Sequence, residues 1–151
     1  MEILFQTTFL LTGPFWLLMI LAPHWRWTQR IMLSPLVITP IALLYVALIL
    51  PLANELVSAS LSPTLATISA TLATAQGATA AWAHLLAFDL FVGRWAYLDS
   101  RERRINAWLM ALVLCFILLV GPFGFLLYLV VRAINERLKN VIPTEAPEGH
   151  R

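Results

Sequence analysis

The sequence is poor in charged residues and has a single cysteine. Charged residues occupy 12% of its 151 positions and hydrophobic residues 60%, whereas roughly a quarter of a typical soluble domain is charged. Long stretches carry no charge at all, as a lipid environment demands. These features exclude a water-soluble protein. Cys115 has no partner for an intrachain disulfide, so cysteine usage does not distinguish an oxidising from a reducing compartment. We expect the thiol to pack as an apolar group.

The sequence motifs of several common enzyme sites are also missing. The chain has no Gly-x-Gly-x-x-Gly phosphate loop, no nucleophile elbow, no His-Glu-x-x-His and no Cys-x-x-Cys. We therefore predict no metal site and leave the cofactor unknown. The net charge of +2 does not indicate a nucleic-acid partner, because the basic residues lie in short clusters beside hydrophobic stretches.

Four apolar stretches predict an all-α integral membrane protein with about four transmembrane helices. These stretches cover residues 3–21, 31–52, 78–97 and 107–131. Proline cannot donate a backbone hydrogen bond, so a kink is expected at Pro14 in the first helix. The second stretch carries Pro35, Pro40 and Pro51 and is expected to form a bent helix that starts near Pro35 and ends near Pro51. No basic signal sequence precedes Ile3, so the first helix is expected to remain in the mature protein.

The remaining segments are polar. Residues 53–76 are read as a connection in which Ser62-Pro63-Thr64 starts a short interfacial helix over 65–75, with Pro63 near its first turn. We treat 1–142 as one transmembrane helical domain and 143–151 as a disordered tail.

The distribution of Lys and Arg predicts the orientation in the membrane. Basic residues follow the first and third apolar stretches, which places those loops in the cytoplasm and the N-terminus outside. Four full spans would leave the basic tail, from Arg132 onward, outside. A break at Gly121-Pro122 that makes the last helix re-entrant would return the tail to the cytoplasm. We favour the alternative, a single kinked helix, in which the basic residues of the two loops determine the orientation despite the basic residues of the tail.

The third apolar stretch is unusual because it contains His84, Asp89 and Arg94. A charged side chain in mid-membrane is costly unless it is paired or faces a cavity. At 100° per residue, neighbouring members of this trio lie about 140° apart around a helix. They do not form one stripe, so some of their partners must come from other helices.

Each member of the trio has a functional and a structural interpretation. Asp89 is read as a proton donor or acceptor, or as a carboxylate bonded to backbone freed by a proline. His84 is read as an acid or base, or as a residue that hydrogen-bonds between helices. A metal or haem ligand is the weakest interpretation of His84, because no second His or Cys stands at ligand spacing. Arg94 either pairs with Asp89 or extends toward lipid phosphate.

The same stretch is rich in aromatic residues. Packing explains most of them, although flat rings beside polar groups also suit a long conjugated ligand. The rings taken as candidate ligand contacts are Trp82, Phe88, Phe91 and Trp95.

The third stretch resembles the plant abscisic-acid-deficient, neoxanthin-synthase-like membrane proteins and their bacterial and cyanobacterial relatives. The residues that carry this resemblance are Ala81-Trp82, His84-Leu85-Leu86, Asp89-Leu90-Phe91, Arg94, Tyr97 and Asp99. Leu21-Ala22-Pro23 and Gly121-Pro122-x-Gly124 add to it. The likeness covers most of residues 5–137.

The resemblance implies a four-helix protein of carotenoid-producing membranes. The plant members are required to convert violaxanthin to neoxanthin, which opens an epoxide and removes a proton to leave an allene. By this resemblance His84 and Asp89 would be the acid–base residues of a xanthophyll isomerase and Arg94 an anion stabiliser. The expected location is a bacterial or cyanobacterial inner or thylakoid membrane.

Two other functions stay open. The second hypothesis is a small accessory subunit that holds a carotenoid, another pigment or a lipid beside a larger photosynthetic complex. A proton-linked transporter is the weakest hypothesis, because transporters usually have repeats and more spans.

Overall fold

The computed structural model describes residues 1–141, except for the side chains of residues 58–60 and 141, and this part is helical without strands. The all-α prediction is confirmed, and the expected disordered tail lies outside the described residues. In chain order the helices are α1 (Glu2–Leu21), α2 (Arg26–Leu33), α3 (Thr39–Ile49), α4 (Ala53–Leu61), α5 (Leu65–Leu72), α6 (Ala75–Glu102), α7 (Ala107–Val120) and α8 (Pro122–Val141).

Prolines shape the second apolar stretch without ending it. Tight 3-10 turns cover Pro35–Ile38 and Leu50–Leu52 on either side of α3. Proline is tolerated there because the first residues of a helical turn need no N–H donor. The predicted end near Pro51 is wrong, since α4 continues the helical path to Leu61.

The short helix predicted within the polar connection is present as α5. Its N-cap is Thr64, whose hydroxyl accepts a hydrogen bond from the backbone N–H of Thr67 at 3.1 Å. Pro63 stands directly before the cap, which agrees with the prediction that it lies near the first turn.

Helix α6 organises the fold. It begins after Thr74, whose hydroxyl accepts a bond from the N–H of Gly77 at 3.0 Å. It runs to Glu102, five residues past the predicted end of the third apolar stretch. Helix α1 lies parallel to α6, because the ring of Phe5 contacts that of Trp82 and the Tyr97 hydroxyl bonds to the Pro23 carbonyl oxygen.

Helix α3 runs in the opposite direction along α6. Gln76 Nε2, near the start of α6, donates to the carbonyl oxygen of Leu48 at 2.9 Å. Further along α6, Arg94 donates to the carbonyl oxygen of Leu33, which precedes α3. Helices α1 and α3 therefore cover different sides of α6.

Close packing of α1 against α6 depends on a glycine. A Cβ added at Gly93 would lie 2.4 Å from Cη2 of Trp16, whose side chain is buried. A small residue is needed where helix backbones approach closely. The main cluster of buried side chains around this contact includes Trp16, Met19, Met32, Leu90, Ala96, Tyr97, Met110, Val113, Leu114, Ile117 and Tyr128.

Helices α7 and α8 form a hairpin, so the favoured single kinked helix is wrong and the chain turns back at Gly121-Pro122. Gly121 has φ 31°, which glycine adopts without a Cβ clash, and Pro122 cannot continue the hydrogen bonding of α7. A Cβ added at Gly124 would lie 2.2 Å from the backbone nitrogen of Ile117, so the two helices touch closely.

The hairpin brings α8 back toward the end of α6. Lys139 Nζ donates to the carbonyl oxygen of Arg103 at 2.6 Å, and Glu136 pairs with the guanidinium of Arg103. We call this end of the bundle, which also contains His24 and Arg101, the basic end. The charges of the tail and of the α6–α7 loop thus lie together, as the positive-inside rule requires.

The predicted count of four transmembrane helices is not confirmed. Among the described residues, two helical segments are long and apolar enough to cross a membrane, Glu2–Leu21 and Pro35–Val57. Helix α6 has the length, about 42 Å at 1.5 Å per residue, but carries the polar trio. Helix α7 has 14 residues and reaches only about 21 Å, less than the ~30 Å apolar core.

Candidate functional site

The three polar residues of α6 point to three different surroundings. His84 is exposed beside α3, whereas Asp89 is half-buried against the turn of the α7–α8 hairpin. Arg94 Nη2 donates to the carbonyl oxygen of Leu33 at 2.9 Å. The structure therefore does not bring the trio into one site, as their 140° spacing on the helix already indicated.

His84 lies in a row of stacked rings. Its imidazole is 5.2 Å from the phenol ring of Tyr45 on α3 and 4.7 Å from the ring of Phe88 on α6, measured between centroids. Tyr45 thus joins His84 as a polar neighbour contributed by a different helix. Its hydroxyl adds a second group that can donate or accept a proton.

His84 and Tyr45 line two adjoining cavities between α3 and α6, which together we call the α3–α6 groove. The larger cavity has a volume of about 420 Å³ and the smaller one about 310 Å³. Around the larger cavity every other lining side chain is apolar: Ile38, Ala42, Ala87, Phe88 and Phe91. The groove is an elongated apolar channel with a polar pair at the junction of its two halves.

Asp89 belongs to a separate cavity of about 290 Å³ on the other side of α6. Its Oδ1 lies 2.8 Å from the position that a Cβ on Gly121 would occupy. Within the described part of the chain, its carboxyl group makes no hydrogen bond or ion pair. The exposed side chains of Leu85 and Phe88 lie between it and His84 on the surface of α6, and the two polar groups line different cavities.

The four aromatic residues predicted as ligand contacts also divide. Phe88 and Phe91 line the α3–α6 groove with His84. Trp82 packs on Phe5 and Phe9 and lines the Asp89 cavity instead. Trp95 lies at neither place, because its ring packs against Phe125 and Tyr128 of α8.

A network of polar side chains closes the basic end of α6. Asp99 accepts hydrogen bonds from Arg103 and Tyr128, and the guanidinium of Arg132 lies 3.7 Å away. Burial raises the pKa of the Asp99 carboxyl, but these hydrogen bonds and positive charges outweigh burial and hold it below its usual range. The network joins α6 to α8, which gives Asp99 a structural role.

Metal binding finds no support among the residues that the structure describes. No three His, Cys, Asp or Glu side chains come together there in a way that could hold an ion. The chemistry available in the α3–α6 groove is hydrogen bonding and proton transfer by one imidazole and one phenol, with apolar surroundings that exclude water.

Tyr45 is the site residue that the sequence analysis missed. It is the one ionisable side chain between Arg30 and Glu55, so its isolation in an apolar stretch was a usable signal. His84, Phe88 and Phe91 likewise stand at positions i, i+4 and i+7, which is the spacing of a single helix face.

Comparison with known proteins gives one match. A family model described as ABA4-like, ABA DEFICIENT 4-like, matches residues 3–128, which include all seven predicted site residues and the hairpin turn. No curated protein matches the chain, and no solved structure matches it.

Proposed function

Because the chain belongs to the ABA DEFICIENT 4-like family, we propose that it is an integral membrane protein of carotenoid metabolism that binds and isomerises a xanthophyll in the α3–α6 groove. The proposal concerns three points that the family match alone does not establish: the ligand, the reaction and the site. Each is argued below from the described residues.

The shape and polarity of the α3–α6 groove carry the proposal. Its cavities follow α6 along the residues from Phe91 through His84 to Gly77, a length that suits an extended polyene. Apolar side chains line almost all of it, and Phe88 and Phe91 offer ring faces for stacking on a conjugated chain. A xanthophyll differs from a plain hydrocarbon by a few oxygen atoms, and His84 and Tyr45 supply the few polar contacts that such oxygens need.

The proposed reaction opens a ring epoxide and leaves an allene. The Tyr45 hydroxyl donates a proton to the epoxide oxygen as the C–O bond breaks. The His84 imidazole removes a proton from the adjacent polyene carbon, whose C–H electron pair forms the new double bond. One proton enters the substrate and one leaves it, so the product is an isomer and no oxidant is needed. Proton return from imidazole to phenolate restores both neutral rings.

This assignment replaces the pair His84 and Asp89 with the pair His84 and Tyr45. The reason is geometric, because proton transfer requires both groups within hydrogen-bonding reach of the same reacting atoms. Asp89 faces a different cavity, and Arg94 is engaged by the carbonyl oxygen of Leu33. Neither is in place to serve a ligand in the α3–α6 groove.

The second candidate is a pigment- or lipid-binding accessory subunit of a photosynthetic complex. The divergence of His84, Asp89 and Arg94 favours it, since a catalytic site normally concentrates its polar groups. In this case His84 and Tyr45 would only hold an oxygenated end group by hydrogen bonds.

Expression in a carotenoid-accumulating host that supplies epoxidised xanthophylls tests both candidates. Pigments are separated by chromatography and identified by mass and absorption. An isomerase produces a new pigment of unchanged mass. His84→Gln and Tyr45→Phe, which keep size but remove the proton-transfer groups, should each lower its yield at least about 100-fold.

Asp89→Asn is the matched variant, because it changes an α6 polar residue outside the groove, and it should keep most of the yield. Loss of activity in Asp89→Asn with retention in His84→Gln would overturn the assignment of the site. A host pigment that stays unaltered but co-purifies with the protein, and is lost in His84→Gln, would favour the accessory subunit.

A further inference from the structure

An unbalanced positive charge lies beside a cavity at the basic end of the bundle. The Arg101 side chain, in the last turn of α6, is only partly exposed and forms no ion pair within the described part of the chain. Its Nη2 donates a hydrogen bond to Nδ1 of His24 at 2.9 Å, and its Nε is enclosed without a partner. A guanidinium held in this way at a membrane boundary needs an anion nearby.

The hydrogen bond from Arg101 uses one of the two ring nitrogens of His24. Arginine can only donate, so Nδ1 of His24 accepts and a ring proton is on Nε2. Among the residues that the structure describes, no hydrogen bond occupies Nε2, so its N–H can donate to a ligand. Arg101 and His24 together therefore present a positive charge and a directed donor, which is what an oxyanion binds.

The cavity next to His24 is apolar on its remaining sides. It has a volume of about 230 Å³ and lies between the end of α1 and the start of α7. The side chains that surround it are Ile20, Leu21, Pro23, His24, Ala107, Trp108 and Ala111. Trp108 is 86% exposed at its rim, and tryptophan is typical of the headgroup level of a membrane. An anion bound here would have an apolar neighbour on the membrane side.

From this arrangement we infer that Arg101 and His24 bind the phosphate of a membrane lipid whose acyl chain enters the cavity between α1 and α7. The ligand class is an anionic phospholipid, because the exposed Arg26, Arg30 and Arg104 at the same end attract a headgroup of net negative charge more strongly than a zwitterionic one. This site is independent of the α3–α6 groove and of the function proposed for it.

The test uses the full-length protein, purified in mild detergent and stripped of lipid. Phosphatidylglycerol, phosphatidylcholine and inorganic phosphate are added separately, and bound lipid is counted by native mass spectrometry while the midpoint of thermal unfolding is followed. Phosphatidylglycerol should bind at least about tenfold more tightly than phosphatidylcholine. It should also raise the midpoint.

Three variants separate the parts of the site. Arg101→Gln and His24→Ala should each weaken phosphatidylglycerol binding at least about tenfold. Ala111→Leu fills the cavity and should reduce lipid binding while leaving any effect of inorganic phosphate unchanged. Arg137→Gln removes one exposed positive charge from the same end and is the matched control, with binding expected to stay within about twofold.

The outcomes are decisive in both directions. Equal stabilisation by inorganic phosphate and by the lipid, with no effect of Ala111→Leu, would overturn the lipid as ligand. Equal loss in Arg137→Gln and Arg101→Gln would show a diffuse charge effect and overturn the site. Should Arg101→Gln fail to fold, unchanged lipid binding in His24→Ala would by itself refute the proposal.

Discussion

The two faces of α6 are built from different residues and do different work. The face toward α1 and the α7–α8 hairpin carries buried small and aliphatic side chains, such as Gly93, Leu90 and Ala96. The opposite face carries His84, Phe88 and Phe91, of which Phe88 is 59% exposed. Close approach of backbones characterises the first face, whereas the second face meets α3 across a groove and carries large rings.

This difference shows how one helix can be both scaffold and site. Apolar side chains gain little from contact with each other rather than with lipid, so tight packing of small residues and polar contacts hold membrane helices together. The packed face therefore tolerates little change, whereas side chains of the open face remain available to a ligand. Substitutions on the two faces should fail in different ways.

The largest effect is expected for Gly124→Ala, which forces apart the two helices of the hairpin that covers the packed face of α6. The added Cβ would lie 2.2 Å from the nitrogen of Ile117, a backbone atom that cannot turn aside. We expect a loss of about 3 kcal/mol or more in stability. The measurement is thermal unfolding in detergent. An unchanged unfolding midpoint would contradict the close contact of α7 and α8.

Gly93→Ala should have the next largest effect, because it adds a methyl group to the packed face of α6. The new methyl group would collide with the ring of Trp16, whose removal from its buried position would cost about 2 kcal/mol. Gly13→Ala is the matched control, since nothing lies within 4 Å of the Cβ that it adds. It should be neutral or slightly stabilising in the same unfolding assay. Equal effects of Gly93→Ala and Gly13→Ala on the unfolding midpoint would contradict the close contact between Gly93 and Trp16.

Phe88→Ala should affect the open face without disturbing the packed one. The side chain is largely exposed, so we expect the unfolding midpoint to stay within about 2 °C while xanthophyll binding weakens about tenfold through lost stacking. Titration of ligand absorbance measures the binding. Phe123→Ala, which truncates a similarly exposed ring on α8, serves as control. Similar binding losses in both would argue against the α3–α6 groove.

The smallest effect is a dependence of stability on pH at the basic end. The pKa of Asp99 is lowered in the folded protein, so its stabilising contribution is complete above the ordinary carboxyl range near pH 4 and is lost as the pH falls below it. Solvent screening keeps this contribution below about 1 kcal/mol. Unfolding midpoints measured from about pH 7 to 3 should fall less steeply in Asp99→Asn than in the wild type. Parallel curves would refute the role of Asp99.

The sequence predicted the helices well where apolar length alone decides them. The first stretch ends at Leu21 as expected, and the short helix α5 starts after its cap Thr64. It failed where tertiary contacts decide. Helix α4 follows Pro51 because a proline can begin a new turn, and the hairpin forms because α8 finds polar partners at Asp99 and Arg103. Local composition contains neither contact.

The candidate site was predictable only in part, for a related reason. The positions of His84, Phe88 and Phe91 follow from helical spacing, which the sequence contains. The neighbour of His84 across the groove is Tyr45, and its placement depends on the register of α3 against α6, which no local pattern fixes. The cost of burying a carboxylate directed attention to Asp89, although its position on α6, about 140° from His84, places it beside the turn at Gly121 instead.

The short hairpin of α7 and α8 makes the two halves of α6 different. Its turn stops beside Asp89, near the middle of α6, so α7 and α8 lie along the half of α6 that ends at the basic end. The half that begins at Ala75 is accompanied by α5 instead, together with α1 and α3. The hairpin therefore supports α6 up to Asp89 and leaves the first half of that helix to other partners.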